Sequence, residues 1–166
     1  MRPATWSRRA LVGTAAVLVL GLSATVALAA NVHLKQNRAP RLTDNGLTAT
    51  VSGALTGLGN GDVTITLIAE GDGSIVLTSP GGNAAPGQNK VPLTLVGTQS
   101  IPSSQIKNGN VSFGVSTEAP ETPTPEEAGA PNDLWTVTLT DVRFTSYTLV
   151  VEQGGVVVFT YESPQL

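Results

Sequence analysis

Any chemistry in this chain must come from carboxylates, hydroxyls and one imidazole, because the sequence holds 12 Asp and Glu, a single His and no Cys. The lack of cysteine removes thiol nucleophiles, iron–sulfur clusters, Cys-rich zinc sites and disulfides together. His33 is the one base that a Ser-His-Asp arrangement could recruit. It falls just beyond an expected processing site, near a free end, which suits an exposed edge-strand histidine better than a catalytic one. Hydrolysis by paired carboxylates needs two acids at a fixed separation with one pKa raised. The acids here fall mostly in turns or in one proline-rich stretch and read as solvated surface charge. Calcium takes oxygen ligands from loops, and Asp62, Glu70 and Asp72 flank turns at either end of one expected strand. Asp62 and Glu70 would stand roughly 26 Å apart if that strand is straight, so turn chemistry is the better reading. Gly57 to Asp62 superficially resembles one glycine–aspartate repeat of a calcium-binding β-roll, but Leu58 and Asn60 occupy glycine positions and there is one copy where several are needed. No glycine-rich segment opens a helix as a phosphate cradle would. Asn110-Val111-Ser112 is a glycosylation acceptor sequence that carries meaning in a eukaryotic secretory pathway alone. The expectation is therefore no catalytic residue, no cofactor and no resident metal, with a non-enzymatic role.

The N-terminus says where the chain goes. Arg2, Arg8 and Arg9 precede an almost wholly apolar run from Leu11 to Leu28, which ends in Ala27-Leu28-Ala29. This is the three-part pattern of a secretory signal peptide over residues 1–29, cut after Ala29, because the peptidase accepts small side chains one and three residues before the bond. Ser7-Arg8-Arg9-Ala10-Leu11-Val12 also resembles the twin-arginine export motif, and a Sec signal with paired arginines fits equally well. An uncleaved run of about 20 apolar residues could instead serve as a membrane anchor. Cleavage would remove three of the 9 basic residues and none of the 12 acidic ones, leaving a body of formal charge −6. Such a body argues against nucleic acid or an anionic membrane as partner.

Residues 30–166 fit one ordinary domain, and a hydrophobic fraction of 40% against 13% charged is too apolar for a disordered chain. Their periodicity is two. Leu47 to Gly53, Val63 to Leu67, Val111 to Val115 and Trp135 to Thr140 alternate apolar or small residues with hydroxyls, as half-buried strands do. Further strands are expected at Val32 to Lys35, Ser74 to Thr78, Val91 to Thr98, Tyr147 to Gln153 and Val156 to Tyr161. Branching at Cβ suits Thr and Val to a pleated surface, and no stretch reads as an amphipathic helix. Gly57 to Asp62, Glu70-Gly71-Asp72-Gly73, Lys107 to Asn110 and Gln153-Gly154-Gly155 read as turns. The pattern predicts an all-β, antiparallel sandwich of about nine strands, immunoglobulin-like or, failing that, a jelly roll. Val156-Val157-Val158-Phe159 is apolar on both faces, so it should be a central strand or an edge that another chain covers.

Two loops interrupt the strands. Residues 79–90 are built from Gly, Pro, Asn and Ala, and residues 118–133 combine Pro120, Pro123, Pro125 and Pro131 with Glu118, Glu121, Glu126, Glu127 and Asp133. The second has a composition that stays extended, solvated and mobile rather than packed, and both are candidate contact surfaces. Among the aromatics, alternation sends Phe113, Trp135 and Phe159 to the core and leaves Tyr147 and Tyr161 unassigned, with Phe144 among the possible members of a sugar-stacking platform.

Read together, several segments resemble an uncharacterised family of small exported β-sandwich proteins of high-GC bacteria. They are Asn31-Val32-His33, Leu55 to Thr64, Pro80 to Asn89, Ile106 to Phe113, Asp141 to Ser146 and Glu152 to Val158, together covering most of the chain beyond the leader. The resemblance implies export and a β-sandwich, and it brings no substrate, cofactor or catalytic residue. It also implies cysteines at four places held here by Leu42, Val51, Leu77 and Ala130, with Leu77 beside Ala130. The expected function is a secreted binding module for an unknown extracellular or cell-surface ligand, with a homo-oligomer as an open alternative to a monomer. The rivals are a structural subunit that assembles by strand addition at Val156 to Tyr161 and, more remotely, a hydrolase.

Overall fold

The computed structural model describes residues 31–87 and 90–166, so the leader expected at residues 1–29 lies outside the described residues. Nine strands occur among the described residues: β1 (His33–Leu34), β2 (Arg41–Asp44), β3 (Ala49–Thr56), β4 (Val63–Thr78), β5 (Ala84–Pro86), β6 (Val91–Ile101), β7 (Val111–Ser116), β8 (Thr136–Gln153) and β9 (Val156–Glu162). They form two antiparallel sheets packed as a sandwich. In the first, β3 is central, with β7 on one side and β1 and β2 following one another along the other. In the second, β4 is central, with β6 and then β5 along one side, β8 on the other and β9 outermost.

Alternation in the sequence becomes alternation of environment. On β4, Val63, Ile65, Leu67, Ala69, Ile75 and Leu77 turn inward, while Thr64, Thr66, Glu70 and Asp72 turn out. The inward set meets Val51, Leu55 and Val115 of the first sheet and Val142, Leu149 and Val151 of β8 in one continuous core.

The list of strands differs from the sequence reading in an instructive way. Glu70-Gly71-Asp72-Gly73 is not a turn: it runs through the middle of β4, paired with β6 and β8. A Cβ at Gly71 would lie 2.6 Å from the carbonyl oxygen of Arg143. Glycine is there because two backbones approach closely, not because the chain reverses. Likewise the expected strands around Trp135 to Thr140 and Tyr147 to Gln153 are one 18-residue strand, β8. The additional strands are β2 and β5, short segments rich in polar or small residues. The loop at 79–90 contains β5, folded back on β4 through a turn in which Ser79 and Asn83 share hydrogen bonds.

The loop at 118–133 has no strand and is mostly exposed, but it is anchored at two points. Pro123 and Ala128 are buried. Thr124 and Glu127 form a capping box, in which the Glu127 carboxylate accepts from the Thr124 amide and hydroxyl at 2.9 Å and the Glu127 amide donates to the Thr124 hydroxyl. These bonds hold the Glu127 carboxyl below its usual pKa. A threonine three residues before a glutamate thus satisfies its own backbone locally, while Glu118, Glu121, Glu126 and Asp133 face solvent as the composition predicts.

The two lateral seams of the sandwich are unlike. On one side, the Thr117 amide donates to the Ala49 carbonyl of β3 (2.9 Å), and the next amide, Glu118, donates to the Val96 carbonyl of β6 (3.0 Å). Adjacent residues thus tie the two sheets together. Gly97 permits this approach, since a Cβ there would overlap the Ser116 carbonyl oxygen. On the other side, where β2 faces β8 and β9, the Val142 amide donates to the Gly46 carbonyl (3.0 Å) and the remainder of the seam opens into a groove.

Candidate functional site

The open seam holds a groove of about 380 Å³ lined by Pro40, Leu42 and Asp44 from one sheet and by Phe144, Tyr147 and Tyr161 from the other, with Ser163, Pro164 and Leu166 closing one end. Its aromatic wall depends on an irregularity in β8. Phe144 and Tyr147 are three residues apart, so a regular strand would point them to opposite faces. The register shifts between Glu70 and Gly71 of β4, where Ser146 opposes Glu70 but Phe144 opposes Gly71, leaving Thr145 as the extra residue of a β-bulge. Both rings then face inward, exposed by 6% and 4%. Hydroxyls hold the bulge: Thr145 donates to the Glu70 carbonyl (3.3 Å) and Ser146 donates to the Glu70 carboxylate (3.0 Å).

Tyr147 donates its hydroxyl to the Pro40 carbonyl at 2.7 Å, joining the sheets across the seam. Burial, followed by the neighbouring Tyr161, pushes its pKa up to about 12. The folded protein therefore favours neutral Tyr147. That stabilisation is present below the ordinary tyrosine value of 10.0 and is lost as pH rises through about 12. The Tyr161 ring lies 5.9 Å from that of Tyr147, centre to centre, at 35°. Tyr161 is only partly buried and presents an apolar face to the groove. The end of the groove is pinned, since Ser163 donates its amide to the Tyr147 carbonyl, accepts at its hydroxyl from the Tyr147 amide, and Leu166 donates to the Thr145 carbonyl. Polar groups at the rim are Asp44, whose carboxylate accepts from the Gly46 amide at 2.8 Å, and the Tyr161 and Ser163 hydroxyls.

The residues singled out from sequence lie apart from this groove. His33 is exposed on β1, its Nδ1 2.7 Å from the Asn31 carbonyl oxygen. The Asp62 carboxylate accepts from the Ser103 amide at 2.7 Å, which starts a single 3-10 turn at Ser103–Gln105 and lowers the pKa of Asp62. Glu70 takes Ser146, and Asp72 takes Lys90 at 3.3 Å. Each of the three acids considered for calcium thus has a partner of its own. Asn110 donates to the carbonyls of Asn108 and Lys107, closing its own turn. Phe113 is in the core, while Trp135 and Phe159 pack against it partly buried.

The sequence reading missed the groove because its lining comes from three separated segments and its key pair sits at an odd spacing. The available clue was Thr145-Ser146, two hydroxyl residues between aromatic neighbours where strict alternation breaks. Comparison with known proteins brings no assignment: neither protein-family models nor curated proteins match the chain.

Proposed function

We propose that this chain is an exported, non-enzymatic binding module of the cell surface or extracellular space, and that the groove between β2 and β9 takes the ring of a sugar. The observation that carries the reading is the Tyr147–Tyr161 pair set in a concavity of about 380 Å³, within the size range of small-ligand sites. A pyranose has an apolar face for the exposed side of Tyr161 and hydroxyls for Asp44, Ser163 and the tyrosine hydroxyl. The pattern Arg2-Arg8-Arg9, apolar run, Ala27-Leu28-Ala29 supports export. The immunoglobulin-like reading is supported by chain crossings between sheets at β3 to β4, β6 to β7 and β7 to β8. The family resemblance is supported by the β2–β3 register, which sets Leu42 opposite Val51, two of the positions where the family carries cysteine.

The test is equilibrium binding of the processed protein to a panel of neutral oligosaccharides, with Tyr161→Ala and Asp44→Ala alongside. Binding should weaken at least tenfold in both variants, and the sugar should be recovered intact. Equal binding by wild type and both variants defeats the groove assignment, and cleaved sugar would favour a hydrolase. The intact mass of exported protein should begin at Ala30, whereas retention of residues 1–29 in the membrane fraction would make the segment an anchor.

A second reading, a subunit assembling by strand addition, is favoured by the position of β9. It is the outermost strand of its sheet, and Val156–Glu162 contains no Pro or Lys to guard the edge. Association of that kind would grow with concentration, persist in high salt and be blocked by Thr160→Pro.

A further inference from the structure

The body is acidic overall, but its charge is segregated. Of the six basic residues beyond residue 30, four lie together: Lys35, Arg38, Arg41 and Lys107. All four are exposed. They line two adjoining hollows of about 260 and 210 Å³ on the outer face of the first sheet, which share Lys35 and Ala54 and include no Asp or Glu in their lining. The floor is neutral and polar, with Ser52 and Gly53 on β3 and Ser112 on β7. Lys35 and Arg38 flank Gln36 and Asn37, whose φ angles of 57° and 53° turn the chain sharply between the two cations.

The complementary charge is at the other end of the same strand. β7 begins at Val111, beside Lys107 and Asn110, and ends at Ser116, after which Glu118 opens the acidic loop. Six strand residues put those ends on the order of 17 Å apart. The loop is held at its own end by the Thr117 and Glu118 bonds and by buried Ala128. Glu118, Glu121, Glu126 and Asp133 are exposed there. Among the described residues the one ion pair is Lys90 with Asp72, so within that set neither the four cations nor these carboxylates are paired.

We infer that the basic hollows receive the acidic loop of a second copy, so that the protein associates head to tail. The contact is heterologous: the surface given differs from the surface received, and copies can add in series rather than stopping at a two-fold dimer. The proline-rich stretch 118–125 suits the role, because it is largely free of regular structure, brings little ordering cost and presents carboxylates to a shallow cationic floor. Arginine forks at 38 and 41 match carboxylates in two-point hydrogen bonds.

The test uses two charge-reversed variants of the processed protein, Arg41→Glu with Lys107→Glu on the face and Glu118→Lys with Glu121→Lys on the loop, chosen to leave the Thr124–Glu127 capping box untouched. By sedimentation velocity at about 20 mM salt, wild type should show a mean mass that rises with concentration and returns to monomer near 0.5 M salt, where the screening length is about 4 Å. Each variant alone should remain monomeric, and an equimolar mixture of the two should associate again, because each then offers what the other has lost. A wild type that is monomeric at low salt overturns the inference. So does a mixture that fails to associate, or an association indifferent to salt and to both variants, which would point to the β9 edge. If wild type is monomeric and the face variant alone loses binding to polygalacturonate, the hollows serve an anionic glycan instead and the inference fails.

Discussion

Two stretches of nearly the same composition, Gly57 to Asp62 and Glu70 to Gly73, have opposite fates. The first is a loop. The Gln153 side chain at the end of β8 holds it, accepting from the Gly59 amide at 2.8 Å and donating to the Gly59 and Gly61 carbonyls at 3.0 and 2.7 Å. The second is mid-strand, with Gly71 and Gly73 buried and Glu70 and Asp72 turned outward, bulged and paired with neighbours on both sides. Glycine next to an acid is a local turn signal only where water can take the freed backbone groups. Inside a sheet the same residues provide closeness of approach.

The largest expected effect separates the two directly. Gly71→Val should cost about 3 kcal/mol or more, because its Cβ meets a backbone oxygen that cannot move without unpairing β4 from β8. Gly59→Ala should cost under about 1 kcal/mol, since its nearest neighbour at 3.2 Å is the flexible end of Gln153. Urea midpoints at equal m-values measure both, and similar costs would put the two stretches in one class.

How far the fold was legible follows from the same contrast. Val63 to Leu67 and Val111 to Val115 alternate without interruption, so their facing could be read residue by residue, whereas Val156 to Phe159 is apolar on both faces and its pairing with β8 shifts register between Val151 and Glu152. β8 could not be read whole, because its phase changes at bulges opposite Glu70/Gly71 and Ser74/Ile75, and a bulge is set by the partner strand. The groove inherits that illegibility, since Phe144 and Tyr147 share a face only after the extra residue at Thr145. β2 was missed because Arg41–Asp44 carries one apolar residue, and its strand character comes from the hairpin to β3.

That hairpin is the locally encoded turn that Glu70 to Gly73 is not, and it supplies the next test. The Asn45 amide donates to the Thr48 carbonyl, and Gly46 alone of the two central residues has positive φ, at 84°. This is the two-residue loop with glycine first that matches strand twist. Counting outward from that bond, Leu42 and Val51 form a pair without mutual hydrogen bonds, which brings Cα atoms to about 4.5 Å. Leu42→Cys with Val51→Cys should oxidise in air and stabilise by at most about 3 kcal/mol. Thiols that remain titratable in the folded protein would refute the register. The same measurement with Leu77→Cys and Ala130→Cys tests the second pairing that the family resemblance implies.

Gln153→Ala should follow, at about 1 to 2 kcal/mol, since it removes the acceptor for one loop amide and the donor for two carbonyls. Hydrogen exchange should accelerate at Gly59 while amides along β4 keep their protection. Equal acceleration in both places would mean that the loop and the strand open as one unit, and the distinction between local and tertiary support would fall.

The smallest effect concerns charge at the end of the loop. Asp62 has its pKa lowered, first by the Ser103 amide and then by the Ser103 hydroxyl, which together favour the carboxylate in the folded protein. A depressed folded value means that the stabilisation is present above the ordinary carboxylate value of 3.8 and is lost as pH falls through the folded value. Asp62→Asn keeps the acceptor oxygen and removes the charge, so the variant should melt slightly below wild type at pH 7, and the gap should close as pH falls through the lowered folded value. Glu127 titrates in the same direction, yet it is common to both proteins and cancels in the difference. A gap that stays constant from pH 7 to pH 2 would show that Asp62 holds Ser103 by shape alone, and that the first stretch is fixed by its neutral hydrogen bonds to Gln153.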